Sequence, residues 1–446
     1  MEKDKLWNAN YLRAWGANFM LFFSFMLVVP LLPIYLQEEF GASKDVIGVV
    51  LSGYTAVAML TRATSGYVVD TFPRKQILVL GFVLLTAFYV GYIVAGSLLM
   101  FAIVRTVHGF PFGIATVSNS TVAIDVLPSS RRAEGIGYYG LSNNVATAIS
   151  PTVGLWLYET YHDFDILFCA SLFFGLLGVW CVATIKTEEK RPGFKRTSEE
   201  VDASPDHSRN VANNSSLFEP SPKGSSSRQE HKNALSNGCE DLTPNSSLKK
   251  PLLGLDRFFL TAGWSQGLTI VSFSFAYGVT STYVAIYGRE ELGLTSGSGI
   301  FFAILASGLF LSRLVGSRTL KQGRILYNAS IGTCISCVGY LLFAMLHNVW
   351  GFYGCALLVG LGNGHLWPAF QNMFVNLAPA NKRGTANASL LTSWDLGVGL
   401  GVLIGGYLAE NYNYHAAFWC SWIIEVLGVI FYFTHVRESY ERHKLR

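Results

Sequence analysis

The sequence predicts an all-α polytopic membrane protein. It reads as twelve transmembrane helices in two six-helix pseudo-symmetric bundles, with both termini in the cytoplasm. Three observations carry this reading. Charged residues make up 14% of the 446-residue chain and hydrophobic residues 51%, against roughly 25% charged in ordinary soluble domains. Outside one polar block at 186–255, the chain is a series of long apolar runs. Lys and Arg fall almost entirely at one side of those runs. A disordered chain, a collagen-like chain and a typical cytosolic enzyme are excluded on this composition. A β-barrel is excluded because its strands would be short and alternating. The formal charge of +4 carries no implication of nucleic-acid binding.

A spanning helix needs ~20 largely apolar residues. The first six such runs lie near 12–36, 46–69, 76–96, 98–124, 134–157 and 164–185. The second six lie near 258–287, 296–317, 325–346, 350–376, 385–408 and 414–435. Breakers and charges mark the junctions, as at Asp70 to Lys75, Pro128 to Arg132 and Pro379 to Arg383. The first run is too long for a signal-peptide core. With both ends inside, the inner segments hold Lys3, Lys5, Arg13, Arg74, Lys75, Arg131, Arg132, Arg318, Lys321, Arg324, Lys382 and Arg383 together with the polar block, while the outer loops hold only Lys44 and Arg289. Of seven cysteines, six lie in apolar runs. Cys334 and Cys337 have C-x-x-C spacing but no His or Asp beside them, so they read as buried small residues, and no disulfide framework is seen.

A shift of 251 residues superimposes the two halves without gaps. Gly16 falls on Gly267, Leu60-Thr61-Arg62 on Leu311-Ser312-Arg313, and Gly109 and Gly113 on Gly360 and Gly364. Pro128 to Arg132 falls on Pro379 to Arg383, Gly154 on Gly405, and Glu159 on Glu410. The repeat defines an N-terminal bundle at 1–185 and a C-terminal bundle with a short tail at 256–446. Between them, residues 186–255 are rich in Ser, Asn, Pro and charge and form a cytoplasmic linker that cannot bury a core.

Local motifs agree with a known family. The loop after the second run reads Gly66-Tyr-Val-Val-Asp70-Thr-Phe-Pro-Arg74-Lys75. It resembles the signature Gly-x-x-x-Asp-Arg/Lys-x-Gly-Arg-Arg/Lys of the major facilitator superfamily of secondary transporters, departing from it at Thr71 and Pro73. Arg105 to Gly109 resembles that family's fourth-helix Arg-x-x-x-Gly, and His108 stands where Gln is common. Pro151 and Gly154 survive from the fifth-helix motif of its drug antiporters. Two parallel six-helix repeats joined by a linker complete the resemblance. It implies alternating access, a cytoplasmic gate at Gly66, Asp70, Arg74 and Lys75 with Glu134 as a further member, a monomer, and no cofactor. The absence of a targeting peptide fits a bacterial inner membrane.

The charges within the spans are the informative polar set: Arg62, Arg105, Arg313 and Asp395. A charge at mid-membrane costs ~2.5–3.5 kcal/mol on insertion scales and so needs a partner or water. Asp395 lies near the midplane, and its repeat equivalent is Asn144. It could load and release a proton, hold a cation, or pair with an Arg. Matched depth makes Arg62 a specific partner. Arg313 lies at the same depth in the eighth run, where Asn143 and Asn144 could accept its donors. Both arginines read as static braces or as ligand contacts. Arg105 is tied by resemblance to coupling or substrate contact. His108 and His365 are single ring donors, suited to proton transfer or to interior hydrogen bonding. Neither has metal-ligand spacing, and no metal site is predicted. Gly397, Gly401 and Gly405 share one helix face, as do Gly109 and Gly113, and admit close helix packing.

Asn18, Asn119, Asn363, Gln371 and Asn372 with Trp367 and Trp394 offer amides and aromatic surface suited to an amphiphilic organic solute. No phosphate-binding loop is present, so a proton gradient is the expected drive. The leading reading is proton-coupled efflux of an amphiphilic small molecule or drug. Uptake of a metabolite or organic anion, flipping of a lipid-linked substrate, and a receptor or scaffold using the linker stand beside it. An enzyme is disfavoured, because the spans hold no Ser/His/Asp set, paired carboxylates or metal cluster.

Overall fold

The computed structural model describes residues 5–128, 131–186, 259–294, 297–379 and 383–445. The predicted linker lies outside the described residues apart from Lys186. The chain enters as α1 (Ala9–Val28), tightens through a 3-10 turn (Val29–Leu31), and continues as α2 (Leu32–Phe40). Pro30 and Pro33 sit at this junction. Each lacks a backbone donor, which is why the α-helical ladder is interrupted there.

There follow α3 (Lys44–Thr71), α4 (Arg74–Ile93), α5 (Leu98–Asp125), α6 (Arg132–Tyr161) and α7 (Phe164–Ala183). The second half gives α8 (Trp264–Glu290), α9 (Gly297–Lys321), α10 (Ile325–Met345), α11 (Val349–Leu377), α12 (Arg383–Asn411) and α13 (Tyr414–Phe431). A π turn (Tyr432–Val436) then leads into α14 (Arg437–His443). Each of the twelve predicted runs is therefore a helical pass among the described residues, with ends moved by a few positions. Nine stretches among the described residues are long and apolar enough to cross a membrane. Those nine leave out α6 and α11, which carry Asn143, Asn144, Asn363 and Asn372 in mid-helix. In α9 the apolar stretch shortens to Gly299–Ser312.

Short polar side chains start four passes at the same end of the molecule. Ser97, Asp163, Asn348 and Asn413 each accept a backbone N–H from the first turn of α5, α7, α11 and α13. Satisfying one otherwise unpaired donor in this way lets a pass begin straight after a tight turn. Gly41 closes α2 in the left-handed region (φ 59°), its N–H returning to Gln37. Glycine takes this conformation without steric cost.

The described helices belong to one compact unit. In it α3 packs on α5, α1 on α6 and α7, α9 on α11, and α10 on α11 and α13. Helix α12 lies between α8 and α3. Its Gly397, Gly401 and Gly405 face Val271, Phe275 and Val279 of α8, one turn after another. A Cβ at Gly401 would collide with the Phe275 carbonyl, so the two backbones are closer than any larger residue permits. Other glycines of α12 admit α3, with Gly399 against Thr55 and Gly406 against the Lys44 carbonyl. The 251-residue repeat recurs in these contacts. Gly109 and Gly113 of α5 meet Tyr54 and Thr61 of α3, and Gly360 and Gly364 of α11 meet Leu305 and Ser312 of α9. The four partners are repeat equivalents of one another.

Gly401→Val is expected to lower stability by about 1–3 kcal/mol, the cost of overpacking. Gly140→Ala, where nothing lies within 4 Å of an added Cβ, is expected to be neutral or slightly stabilising. Thermal unfolding of the purified protein in detergent checks both, and an unchanged midpoint for Gly401→Val would mean that the α8–α12 approach is looser than described.

Candidate functional site

The centre of the site is an ion pair between helices from opposite halves of the sequence. Arg62 of α3 donates through Nη1 to Oδ2 of Asp395 on α12. Both side chains are nearly enclosed, at 7% and 15% exposure. The close approach of α3 and α12 at Gly399 and Gly406 places them at one level. The Arg62 guanidinium also stands 5.4 Å from the ring centroid of Phe112, and its Nε is buried without a partner.

A second arginine lies next to this pair, with Tyr54 in electrostatic reach of both cations and of Asp395. Arg105 of α5 is 3% exposed. Its guanidinium sits 4.2 Å from the Tyr54 ring centroid and 5.1 Å from that of Phe25. Aromatic faces stabilise a cation, most strongly when it is desolvated. Nη1 of Arg105 donates to the Tyr92 hydroxyl at 3.0 Å. That hydroxyl lies 2.6 Å from Nδ1 of His108. Arginine can only donate, so the Tyr92 oxygen accepts from it and gives its own proton to Nδ1. In this arrangement the neutral His108 ring carries its proton on Nε2, on the side of the Leu85 backbone, and Nε of Arg105 is buried without a hydrogen-bond partner. Among the described residues no carboxylate pairs with Arg105.

The remaining predicted residues are placed as follows. Trp394, beside Asp395, packs its ring 5.3 Å from Tyr277 and 5.1 Å from Trp367. Asn143 accepts from the Thr147 hydroxyl at 3.1 Å, and Asn144 is half-buried. Pro151 is buried inside α6, and Gly154 lies against the Leu27 carbonyl. Arg74 pairs with Asp125 at 2.6 Å, and Lys75 is half-buried. Gly66 lies within α3, and the side chains of Asp70, Glu134 and Arg313 lie outside the described residues. Asn18 donates to Ser142 at 2.8 Å and Asn119 to the Tyr139 hydroxyl at 2.9 Å, which makes them braces between helices rather than free ligand donors. His365 bonds the Leu361 carbonyl one turn back, at 3.0 Å. No group of three His, Cys, Asp or Glu able to hold a metal occurs among the described residues.

Two features escape the sequence reading. One is Glu425 of α13, fully buried and missing from the set of intramembrane charges, although it is the single acid in the apolar run from Tyr414 to Phe431. The other is a polar cluster where α2, α3 and α6 meet α8, α12 and α13. Arg289 of α8 pairs with Glu38 of α2. Lys44 pairs with Glu290 at 3.1 Å. Gln37 and Tyr414 also donate to Glu290, at 2.6 and 2.7 Å, and Tyr158 donates to Glu38 at 2.6 Å. The Lys44 backbone N–H reaches Glu410 at 2.9 Å. A cleft of ≈ 310 Å³ lies among Ile34, Gln37, Glu38, Ile286, Arg289 and Glu290. The only signal for this cluster was that Lys44 and Arg289 were the two cations left on the outer side.

Comparison with known proteins places this arrangement. The family model of the Major Facilitator Superfamily matches residues 14–346 and 323–446. The quinolone resistance protein NorA of Staphylococcus aureus (strain MRSA252) is 20% identical over 394 residues, covering 88% of each chain. The staphylopine export protein of Staphylococcus aureus (strain Mu50) is 21% identical over 428 residues, covering 94% of this chain and 93% of that one. A bacterial homolog of the human lysosomal transporter Spinster superimposes with a TM-score of 0.69 at 14% identity, covering 98% of both chains. A peptide transporter, POT, in complex with sulfate gives 0.71 at 15% identity, covering 98% of this chain and 96% of that one. At such identities the solved structures speak for the fold alone. The repeated helical passes, the intramembrane ion pair and the family match along the chain have one reading: this integral membrane protein is a transporter belonging to the Major Facilitator Superfamily.

Proposed function

We propose that the protein is a proton-coupled exporter of amphiphilic small molecules, working as a monomer by alternating access in a bacterial inner membrane. Two six-helix halves, 1–185 and 256–446, rock about the central site, with both termini and the 186–255 linker in the cytoplasm. The observation that carries this reading is the Arg62–Asp395 pair. It joins α3 to α12 across the halves at mid-depth, and a carboxylate held only by one arginine can exchange that partner for a proton when its surroundings change. Two relatives, a quinolone resistance protein and a staphylopine export protein, support the outward direction. The Glu38–Arg289 and Lys44–Glu290 pairs act as a latch on the outer side. Gly66, Asp70, Arg74, Lys75 and Glu134 form the inner gate, and Arg313 braces the eighth pass.

A second reading is uptake of an organic anion. Arg105, buried among aromatic rings with no carboxylate partner among the described residues, favours it.

Accumulation of dyes, drugs and radiolabelled metabolites in an efflux-deficient host tests the proposal. The wild type is expected to lower accumulation of at least one amphiphile, and a protonophore or Asp395→Asn is expected to abolish the effect. Raised accumulation of one anion, lost in Arg105→Gln, would replace export by uptake.

The ion pair has its own signature. Removing one partner of a buried pair costs about 3–5 kcal/mol, because the other charge stays buried and unpaired. Arg62→Gln and Asp395→Asn are each expected to lower the unfolding temperature, and the double variant to recover part of the loss. Additive losses would mean that the two side chains do not depend on each other.

Exposed ion pairs contribute up to ~1 kcal/mol each, so Arg289→Ala is expected to shift the outward-open population by about fivefold. Labelling of Ile286→Cys by a membrane-impermeant thiol reagent reads the shift. Unchanged labelling would leave the pair as surface decoration.

A further inference from the structure

Glu425 lies eleven residues into α13 from Tyr414. At 1.5 Å per residue that is about 16 Å from the end of the helix, near the middle of a ~30 Å hydrocarbon core. The side chain is 0% exposed, and neither carboxyl oxygen has a hydrogen-bond partner. Its surroundings are polar but uncharged. Ser336 and Tyr340 stand one turn apart on α10, Thr280 comes from α8, and Trp422 from α13 itself. Each of the four has a buried polar atom without a partner.

The titratable groups turned toward this region are Tyr277 of α8, Cys337 and Tyr340 of α10, and Cys355 of α11. Those of α12, which also packs on α13, are directed elsewhere. Asp395 goes to Arg62, Glu410 to the Lys44 amide, and Tyr407 is exposed. Ser336 is the neighbour whose hydroxyl lies closest to acting on the Glu425 carboxyl, and no Lys, Arg or His among the described residues acts on it.

An ionised carboxylate in such a place costs several kcal/mol with nothing to offset it. The group must therefore carry a proton or hold a cation. Hard metal cations such as Ca²⁺ and Mg²⁺ take six or more oxygens, whereas the carboxyl and three hydroxyls supply five. A proton needs a single acceptor, and Ser336 offers one. We propose that Glu425, with Ser336, Thr280 and Tyr340, is a proton-binding site in the second half of the chain, separate from the Arg62–Asp395 pair. Trp394, which directly precedes Asp395 on α12, packs against Tyr277, and Tyr277 in turn neighbours Tyr340. An aromatic wall thus stands between the two acids. Proton uptake at Glu425 neutralises the interior of this half without breaking the ion pair. Its part in coupling rests on the exporter reading, whereas its occupancy by a proton does not.

Infrared spectroscopy on the full-length protein in liposomes tests the occupancy. At neutral pH the wild type is expected to show a protonated-carboxyl band that shifts in D₂O, vanishes in Glu425→Gln, moves in Glu425→Asp and persists in Asp395→Asn. Absence of the band in the wild type overturns the inference. So does its loss in Asp395→Asn, or its titration by sodium at fixed pH. The wild-type and Glu425→Asp spectra decide the matter even where Glu425→Gln does not fold. For coupling, Glu425→Gln is expected to keep substrate exchange but lose about tenfold in proton-driven accumulation; full retention overturns that role. Failure of Asp395→Asn to affect export, with the Glu425 band intact, counts against the exporter mechanism and not against this site.

Discussion

An arginine between apolar helices needs a counter-charge, an aromatic face or water to offset its desolvation. Arg62 meets that constraint through Asp395, and much of the architecture serves the meeting. Helix α12 has to pass close to α3 while it is also packed on α8. It does so because one of its faces is glycine toward α8 and another is glycine toward α3. The small residues and the charge pair are thus one device. Filling the glycine grooves would move Asp395 away from Arg62, the one cation among the described residues placed to hold it.

The two buried arginines meet the same electrostatic cost by different means. Arg62 has a carboxylate. Arg105 has the faces of Tyr54 and Phe25 and the oxygen of Tyr92. The first arrangement is neutral overall and links two halves. The second keeps a net positive charge inside the first half, next to a neutral histidine and a tyrosine whose hydroxyl has no partner. The interior around Arg105 is therefore electropositive, beside an ion pair that is neutral overall.

Much of the fold could be read from the sequence, because a membrane solvent turns length and apolarity directly into helices. The depth of Arg62 and Asp395 could also be read, since it follows from counting residues along two helices. The aromatic cage of Arg105 could not, because Tyr54, Phe25 and Tyr92 come from three other helices with no spacing rule among them. The polar cluster where α2, α3 and α6 meet α8, α12 and α13 was missed for another reason. In the sequence Lys44 and Arg289 stand out only as exceptions to a charge bias, although their scarcity is itself a sign of use. Glu425 was legible as a lone acid in an apolar run and was passed over.

The pair formed by Glu38 and Arg289 has a consequence of its own. The two residues are 251 positions apart, the same interval that relates the two halves of the sequence. They are equivalent positions that touch each other, and only points on a two-fold axis do that. In an assembly of two identical six-helix chains, the residue at this place would face its own copy, acid against acid or base against base. Such an assembly could be held together there by nothing ionic. In a single polypeptide the two positions are free to differ, and here an acid and a base make a bond where identical residues would repel.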